Sequence, residues 1–395
     1  MQKNITICKM KELSYLSGFI NPSMTRDLFN KARQYNDVVD FTLGDPDIQP
    51  HDNIKQAAIN AILAGKTRYS QNAGLLELRE VIAEKYKYDY NISYNPQTEV
   101  FVSVGGMEGI FLALLSILNP NDEVIIPAPY WINYVQMVQM CGAKPIIVAP
   151  KSDTDLSISL DNVQRAISPK TKVIIINSPS NPSGIIIKES ELNELASLSI
   201  GNDLYVIADE VYRKLIYNNR QYYSISKIAG MKERTIMVNS LSKEFCMTGW
   251  RLGYVVGPQD VIKVMTMLQE NIAACAPLPS QHAAIEALCH HDEYSQSMIK
   301  EYERRKNVVV EEISKIEKLS LREPEATFYA MVNIKKLGLS SIDFAYQLLD
   351  KVHVALVPGI TYGDCCEGFV RIAFTINEEQ IREGIHRIHH FVESL

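Results

Sequence analysis

Short, continuously apolar runs alternate with amphipathic segments from residue 97 onward, and this alternation constrains the fold more than any other feature of the chain. The apolar runs occupy residues 99–104, 123–127, 145–148, 173–176, 204–208, 236–238 and 253–257. A strand that is apolar on every residue is buried on both faces, which is typical of a parallel sheet covered by helices. The last run follows its predecessor too closely for a helical crossover, so we expect it to run antiparallel. The sequence therefore predicts an α/β fold with a mainly parallel, seven-stranded sheet sandwiched by helices.

The remainder of the chain predicts a second, smaller unit. A length of 395 residues exceeds what a single hydrophobic core usually serves, so two domains are expected. A long polar helix is predicted from residue 292 to about residue 318. Beyond it, strands and helices alternate in an α+β pattern. The predicted strands are 327–333 and 369–374, and the predicted helices are 341–351 and 378–393.

Composition excludes several classes of protein. The net charge of −6 argues against nucleic acid or an acidic membrane surface as a partner. No apolar run is long enough to span a bilayer, and the N-terminal residues lack the apolar stretch of a secretory signal. The seven cysteines show no CxxC spacing, and adjacency disfavours a simple bridge between Cys365 and Cys366. These features predict a cytoplasmic, reducing location.

The segment after residue 239 carries the most distinctive chemistry. Lys243 lies just past the end of a predicted strand, where α/β enzymes place their reactive groups. A lysine amine condenses with an aldehyde to form an imine. Ser240, Ser242 and Arg251 suit a phosphate ester, because hydroxyls and a forked guanidinium match phosphate oxygens. An aldehyde that carries a phosphate is pyridoxal 5'-phosphate, although a lone lysine after a strand is more often simply exposed.

Two other strand ends carry matching groups. Asp209 ends the run at residues 204–208, where a carboxylate could hold a proton on a pyridine nitrogen. The alternative is that Asp209 and Glu210 form a solvated loop. Gly105 and Gly106 lie between a strand and a helix, where free N–H groups and the helix dipole favour an anion. Alone, two glycines indicate only a turn.

Residues 240–254 resemble the cofactor-lysine motif of the class I/II aminotransferases, the pyridoxal-phosphate enzymes of the aspartate aminotransferase fold (fold type I). The similarity extends over most of the chain. It implies a large cofactor-binding domain at residues 46–291. It also implies a discontinuous small domain, built from residues 1–45 and 292–395. The family further implies a homodimer with shared active sites.

The resemblance assigns roles around the cofactor ring. Lys243 would form the imine with the cofactor and then carry a proton between the substrate Cα and the cofactor C4' carbon. Asp209 would keep the ring nitrogen protonated, while Tyr212 would bind the phenolate oxygen. Asn181, in the motif at residues 177–184, would contact both that oxygen and the substrate carboxylate, although by composition the motif is simply a turn. The implied phosphate and ring-edge contacts are Gly105, Gly106, Met107, Ser240, Ser242 and Arg251.

The same resemblance assigns roles to four further positions. Tyr130 would stack on the cofactor ring, with the adjacent Trp131 pointing elsewhere; a core aromatic is the alternative. Arg371, inside an apolar strand, would bind the substrate α-carboxylate bidentately, unless it forms a structural ion pair. The backbone of Gly44 would meet that carboxylate. Tyr69 would reach across the dimer interface to the phosphate of the partner.

The implied reaction is a ping-pong transfer of an amino group from an L-amino acid to a 2-oxo acid, with 2-oxoglutarate as the expected acceptor. Bacterial aspartate aminotransferases with a similar motif at residues 130–134 have a lysine after the Gly-Gly turn. This chain has Met107 there, which favours an aromatic or apolar donor, although Met107 also suits a helix core. Aspartate and alanine remain open as donors. The alternatives are a carbon–sulfur β-lyase of the same fold and a cofactor-binding regulator, for which the stretch before Gly44 leaves little room.

Overall fold

A computed structural model describes residues 13–18 and 24–395 of the chain. The strands are β1 (Val39–Asp40), β2 (Val100–Ser103), β3 (Glu123–Pro127), β4 (Lys144–Val148), β5 (Thr171–Asn177), β6 (Tyr205–Asp209), β7 (Thr235–Ser240), β8 (Gly253–Val256), β9 (Ser320–Leu321), β10 (Tyr329–Asn333), β11 (Val354–Ala355), β12 (Val357–Pro358) and β13 (Phe369–Ala373). The helices are α1 (Met24–Ala32), α2 (Asp52–Leu63), α3 (Leu76–Tyr90), α4 (Gly105–Ile117), α5 (Asn133–Met140), α6 (Leu160–Ala166), α7 (Glu189–Gly201), α8 (Leu241–Glu244), α9 (Gln259–Ile272), α10 (Leu278–Cys289), α11 (His291–Ser314), α12 (Ser341–Val352) and α13 (Glu378–Glu393). Short 3-10 turns lie at Tyr15–Gly18, Ile225–Lys227, Thr248–Trp250, Lys335–Leu337, Gly359–Tyr362 and Asp364–Cys366.

Within the described residues, seven strands form the larger sheet in the order β2-β8-β7-β6-β5-β3-β4. The pairs from β4 across to β7 are all parallel, whereas β8 is antiparallel to both of its neighbours. The prediction of a mainly parallel seven-stranded sheet with an antiparallel β8 is therefore confirmed. The carboxyl ends of β2, β5, β6 and β7 consequently lie at one edge of the sheet, where open α/β folds bind their ligands.

Both faces of this sheet are buried, as the apolar runs predict. Successive residues of a strand point to opposite faces, so each strand feeds two cores. In β7, Met237 packs into one core with helices α3 and α10, while Ile236 and Val238 pack into the other with α4 and α9. This double burial explains why the strands are apolar throughout rather than alternating.

A four-stranded antiparallel sheet, in the order β12-β13-β10-β9, forms the centre of a third core. The N-terminal arm joins this region, because Val39 and Asp40 pair in parallel with Val354 and Ala355. Residues 1–12 and 19–23 of the predicted arm lie outside the described part of the chain. The arrangement is compatible with the boundaries at residues 46 and 292, which stay a prediction.

One predicted strand begins later than the sequence suggests. The strand expected from residue 327 starts at Tyr329, because Thr327 has a φ of +64° that is incompatible with extended backbone.

The six described cysteines are free, and Cys8 lies outside the described residues. No helix in residues 13–18 or 24–395 is both long and apolar enough to cross a membrane.

Candidate active site

A cavity of about 750 Å³ opens at the carboxyl edge of the large sheet and reaches the small sheet. Its walls come from strand ends β5, β6 and β7, helix α4, the N-terminal arm and strands β10 and β13. Most residues singled out from the sequence therefore meet in one place. Those that line the cavity are Gly44, Gly106, Met107, Asn181, Asp209, Tyr212, Ser240, Ser242, Lys243, Arg251 and Arg371.

Lys243 projects into this cavity from the short helix α8, which follows β7 directly. Its Nζ donates a hydrogen bond to the carbonyl oxygen of Gly44 at 2.5 Å. The pKa of the Lys243 amine is lowered to about 8, chiefly by burial; Asp45 acts in the opposite direction, and the positive charges of Arg371 and Arg251 contribute to the lowering. A lysine in this state is more readily deprotonated near neutral pH than an exposed one, so it can serve as a nucleophile or a base.

Asp209 lies at the end of β6 with its carboxylate buried. The Tyr134 hydroxyl donates to Asp209 Oδ2, and the Val211 N–H lies 3.3 Å from Oδ1. Burial raises the pKa of Asp209 to about 6, although the Tyr134 hydrogen bond acts in the opposite direction. Asn177 holds the strand end by donating to the Asp209 carbonyl at 3.0 Å. Asp209 thus presents an oriented carboxylate that would be stabilised by a cationic partner.

Arg371 is buried in β13 and lies between two aromatic rings. Its guanidinium carbon is 4.4 Å from the ring centroid of Tyr329 and 5.2 Å from that of Tyr362. Nη1 donates to Asn181 Oδ1 at 3.0 Å, and Nη2 donates to the Thr42 carbonyl. Among the described residues Arg371 has no acidic partner, and its Nε is buried without an acceptor. The structural ion-pair alternative is therefore unsupported, and a carboxylate ligand matches the free donor capacity.

Two tyrosines beside Arg371, Tyr212 and Tyr329, also determine the shape of the site. The hydroxyls of Tyr212 and Tyr329 lie 3.1 Å apart, and their rings meet edge to face. A Cβ at Gly44 would overlap the Tyr329 hydroxyl, so only glycine allows this part of the arm to approach. Tyr212 therefore places a phenolic hydroxyl in the cavity between Asp209 and Arg371, where it can bind a ring oxygen.

Hydroxyl and guanidinium groups collect on the wall nearest α4. Ser240 Oγ lies 2.9 Å from Ser242 Oγ, and Arg251 Nη1 donates to the Thr248 carbonyl at 2.9 Å. A Cβ at Gly105 would lie 2.5 Å from Arg251 Nη2, so this glycine makes room for the guanidinium rather than lining the cavity itself. Together with the first N–H groups of α4, these donors form a wall that suits phosphate oxygens.

The structure differs from the prediction at Tyr130. Trp131 lines the cavity, whereas Tyr130 does not and faces a small neighbouring cavity beside Tyr134. A Cβ at Gly363 would lie 3.2 Å from Tyr130 Cε1, which shows how closely that loop covers the ring. The two adjacent rings therefore face different cavities, and only the Trp131 ring faces the site.

Tyr69 also lies outside this cavity. Its side chain is 87% exposed, in the loop between α2 and α3, so it contributes nothing to the site of its own chain. That position is compatible with a role toward another subunit.

Several lining residues were not singled out from the sequence. Asn177 and Trp131 lie beside residues to which the family resemblance assigns roles. Tyr134 does not line the cavity itself but donates a hydrogen bond to the lining residue Asp209. Other lining residues come from segments remote in sequence and carry no local signal; they include Thr25, Arg26, Phe29, Thr42, Tyr329 and Tyr362.

Comparison with known proteins agrees with this geometry. The sequence model of the family described as Aminotransferase class I and II matches residues 36–388. An aspartate aminotransferase of Pyrococcus abyssi is 39% identical over 373 residues, covering 93% of this chain and 95% of the relative. An aromatic-amino-acid aminotransferase of Thermococcus litoralis is 37% identical, again covering 93% of this chain and 95% of the relative.

Solved structures show the same relationship. An aromatic aminotransferase from Pyrococcus horikoshii superposes with a TM-score of 0.88 at 36% identity, covering 93% of this chain and 99% of that one. The aspartate aminotransferase from Thermus thermophilus with maleate gives 0.90 at 34% identity, covering 96% and 100%. The chain therefore belongs to the class I and II aminotransferase family and is an aminotransferase.

Proposed function

We propose that the protein transfers the amino group of an L-amino acid to a 2-oxo acid in two half-reactions that share the cavity around Lys243, with pyridoxal 5'-phosphate as cofactor. The class I and II aminotransferases depend on this cofactor. The observation that carries the proposal is the Lys243 amine, whose pKa is lowered to about 8 by burial in a cavity that also holds Asp209 and Arg371. A reactive amine, a ring-nitrogen partner and a carboxylate receptor are the groups that transamination requires.

The residues present fit the cofactor. Arg251, Ser240 and Ser242 would hold its phosphate, and the space above Gly105 is already filled by the Arg251 guanidinium. Asp209 would pair with the pyridine nitrogen, while Tyr212 and Asn181 would bind the phenolate oxygen. When bound, the cofactor supplies an aldehyde that takes up the amino group and a protonated ring that withdraws electrons from Cα.

Trp131 takes the place that the sequence suggested for Tyr130. It lines the cavity, and its ring lies 5.3 Å from that of Tyr134 in an edge-to-face contact. Tyr134 in turn holds Asp209. We infer that Trp131 covers one face of the cofactor ring while Tyr134 orients the carboxylate at its edge.

Lys243 performs the proton transfer in this proposal. Its Nζ accepts the proton from the substrate Cα and delivers it to the C4' carbon, a short path for a positioned amine. Arg371 and Asn181 orient the substrate by binding its α-carboxylate, so that the Cα–H bond faces Lys243. The contact between Lys243 and the Gly44 carbonyl places the amine beside the carboxylate site before substrate arrives.

The decisive experiment is Lys243→Ala. Amino transfer should fall by several orders of magnitude, because removal of the base and covalent anchor leaves only binding. The cofactor absorbance band should also shift toward that of free pyridoxal phosphate. Near wild-type transfer with an unchanged band would refute the mechanism.

The side-chain pocket favours neutral donors. Met107, Ile110 and Trp131 line it, and Met107 offers no charge to a second carboxylate. Side-by-side assays of aspartate, alanine, tyrosine and leucine with 2-oxoglutarate test this preference. A rate with aspartate that exceeds the others by orders of magnitude would contradict it.

We further propose a homodimer with shared active sites, supported by the 87% exposure of Tyr69 in a loop outside its own cavity. Lys243→Ala and Tyr69→Ala subunits should each be impaired alone. Mixed after dissociation, they should regain activity, because one site of the mixed dimer then has both Lys243 and the Tyr69 of the partner. No recovery on mixing would contradict shared sites.

A further inference from the structure

Arg26 is a cationic residue of the cavity wall that the proposed chemistry leaves unused. It lies in the first turn of α1 and its side chain is exposed at the cavity. Its guanidinium carbon lies 5.4 Å from the ring centroid of Phe29, which also lines the cavity. In the described part of the chain, Arg26 stacks on this ring and forms neither an ion pair nor a hydrogen bond.

The other lining cations are already engaged. Lys243 donates to the Gly44 carbonyl, Arg251 to the Thr248 carbonyl, and Arg371 to Asn181. The proposed function also gives each of them a ligand group to contact. Lys243 acts on the reacting carbon, Arg251 binds the phosphate and Arg371 binds the α-carboxylate. Arg26 therefore has donor capacity that no group of the cofactor or of the amino-acid backbone satisfies.

The two lining carboxylates do not neutralise Arg26. Asp45 Oδ1 accepts a hydrogen bond from the Thr248 hydroxyl at 2.7 Å, and Asp209 is buried against Tyr134. Neither forms an ion pair with Arg26 among the described residues. An anionic ligand group entering from the α1 side would consequently meet a free, forked donor.

Resting on the proposed function, we propose that Arg26 is a specificity residue that binds the distal carboxylate of dicarboxylic 2-oxo acids of the 2-oxoglutarate class. Met107 on α4 provides no charge, so the receptor for a second carboxylate comes from α1 instead. A guanidinium stacked on Phe29 keeps its N–H edge available for bidentate binding.

The same arrangement accommodates neutral side chains. Because Arg26 is exposed and has no ion pair or hydrogen bond to another described residue, its side chain can turn toward solvent. Phe29, Met107 and Trp131 then remain as an apolar pocket. One cavity could then accept a neutral donor in the first half-reaction and an acidic oxo acid in the second. A permanently buried charge would not allow both.

The kinetic test compares 2-oxoglutarate with 2-oxopentanoate, which has a methyl group in place of the distal carboxylate. The holoenzyme is first loaded with an amino group, and kcat/KM is measured for each acceptor. Arg26→Gln should lower the ratio of the two values by about tenfold to hundredfold, the usual effect of losing a hydrogen-bonded charge. Arg26→Lys should restore part of it, because a point charge remains without the fork.

Arg33→Gln is the matched control. Arg33 also lies against Phe29, with its guanidinium carbon 5.7 Å from the ring centroid, but it does not line the cavity. Arg33→Gln therefore removes a positive charge beside the same Phe29 ring without changing the cavity wall. The ratio of kcat/KM for 2-oxoglutarate to that for 2-oxopentanoate should stay at the wild-type value. A similar fall in both variants would overturn a specific role for Arg26.

A binding readout separates this inference from the proposed function. Calorimetric titration of the holoenzyme with glutarate and with pentanoate requires no amino transfer. Arg26→Gln should weaken glutarate binding by a similar factor and leave pentanoate unchanged. Unchanged glutarate binding overturns the Arg26 proposal even if transamination stands. Loss of glutarate binding in an enzyme that transfers no amino group would support Arg26 and overturn the proposed function alone.

Discussion

The Tyr134 hydroxyl donates a hydrogen bond to Asp209 Oδ2, so that helix α5 and the end of β6 are joined inside the cavity wall. Burial holds the pKa of Tyr134 well above its usual value, whereas that of Asp209 is about 6. The proton consequently stays on the phenol, and the carboxylate keeps its charge at neutral pH. In the proposed mechanism this pairing maintains Asp209 as an anion facing the ring nitrogen.

Tyr134→Phe removes the donor and should raise the pKa of Asp209, because the hydrogen bond stabilises the charged form. The rise should be about one to two pH units, since a hydrogen bond to a charged group contributes about 1.5–3 kcal/mol. The acidic limbs of the pH profiles of kcat/KM and of cofactor affinity should move to higher pH by that amount. Tyr130→Phe serves as the control, because Tyr130 lies nearby but outside the cavity. Identical profiles for both variants would contradict the role of Tyr134.

Gly105→Ala should weaken cofactor binding because the new Cβ would lie 2.5 Å from Arg251 Nη2 and displace the guanidinium. The positive φ of +80° adds a backbone cost of about 1–2 kcal/mol. Gly338→Ala is a matched control, since Gly338 has a φ of +67° and nothing within 4 Å of its Cβ. Both variants should lose similar thermal stability, and only Gly105→Ala should lose cofactor affinity as measured by absorbance titration.

Arg371→Lys should reduce kcat/KM by about a hundredfold or more, because a point charge cannot replace a bidentate guanidinium held between two rings. The reduction should apply equally to neutral and acidic amino acids, which all have an α-carboxylate. Arg382→Lys is the control variant. Arg382 forms a partly exposed ion pair with Glu378 on α13, with an N–O distance of 2.9 Å. A selective effect of Arg371→Lys on acidic substrates would reassign it to the side-chain carboxylate.

Lys243 gives the cofactor-free protein a predictable pH dependence. Burial lowers its pKa from 10.5 to about 8 in the folded state, so between these values the unfolded chain binds more protons. Stability contributed by this group therefore rises with pH from about 8 to 10.5 and is reduced below pH 8. Lys243→Met should raise the free energy of unfolding at pH 7 by about 3 kcal/mol. The gain over wild type should vanish near pH 10.5 in denaturant titrations; a pH-independent difference would contradict the linkage.

The sheet and most of the candidate site could be predicted because their signals are local. Lys243, Asp209 and Asn181 each follow a strand that is apolar along its length, and parallel strands bring their carboxyl ends to one edge. Arg371 could be singled out because a charge inside an apolar strand requires a partner. At Thr327, by contrast, the local backbone conformation departs from the sequence pattern. The apolar pattern predicts that the strand begins at residue 327, but the positive φ of Thr327 is incompatible with a strand there.

The amino-acid sequence by itself determined the parallel sheet, the position of Lys243 after β7 and the family, because hydrophobic periodicity and short motifs are properties of contiguous residues. The tertiary structure alone decided that Trp131 rather than Tyr130 faces the cavity, that Tyr134 holds Asp209 and that Arg26 joins the wall. These outcomes depend on side-chain direction and on packing between segments far apart in the chain, and neither leaves a local pattern.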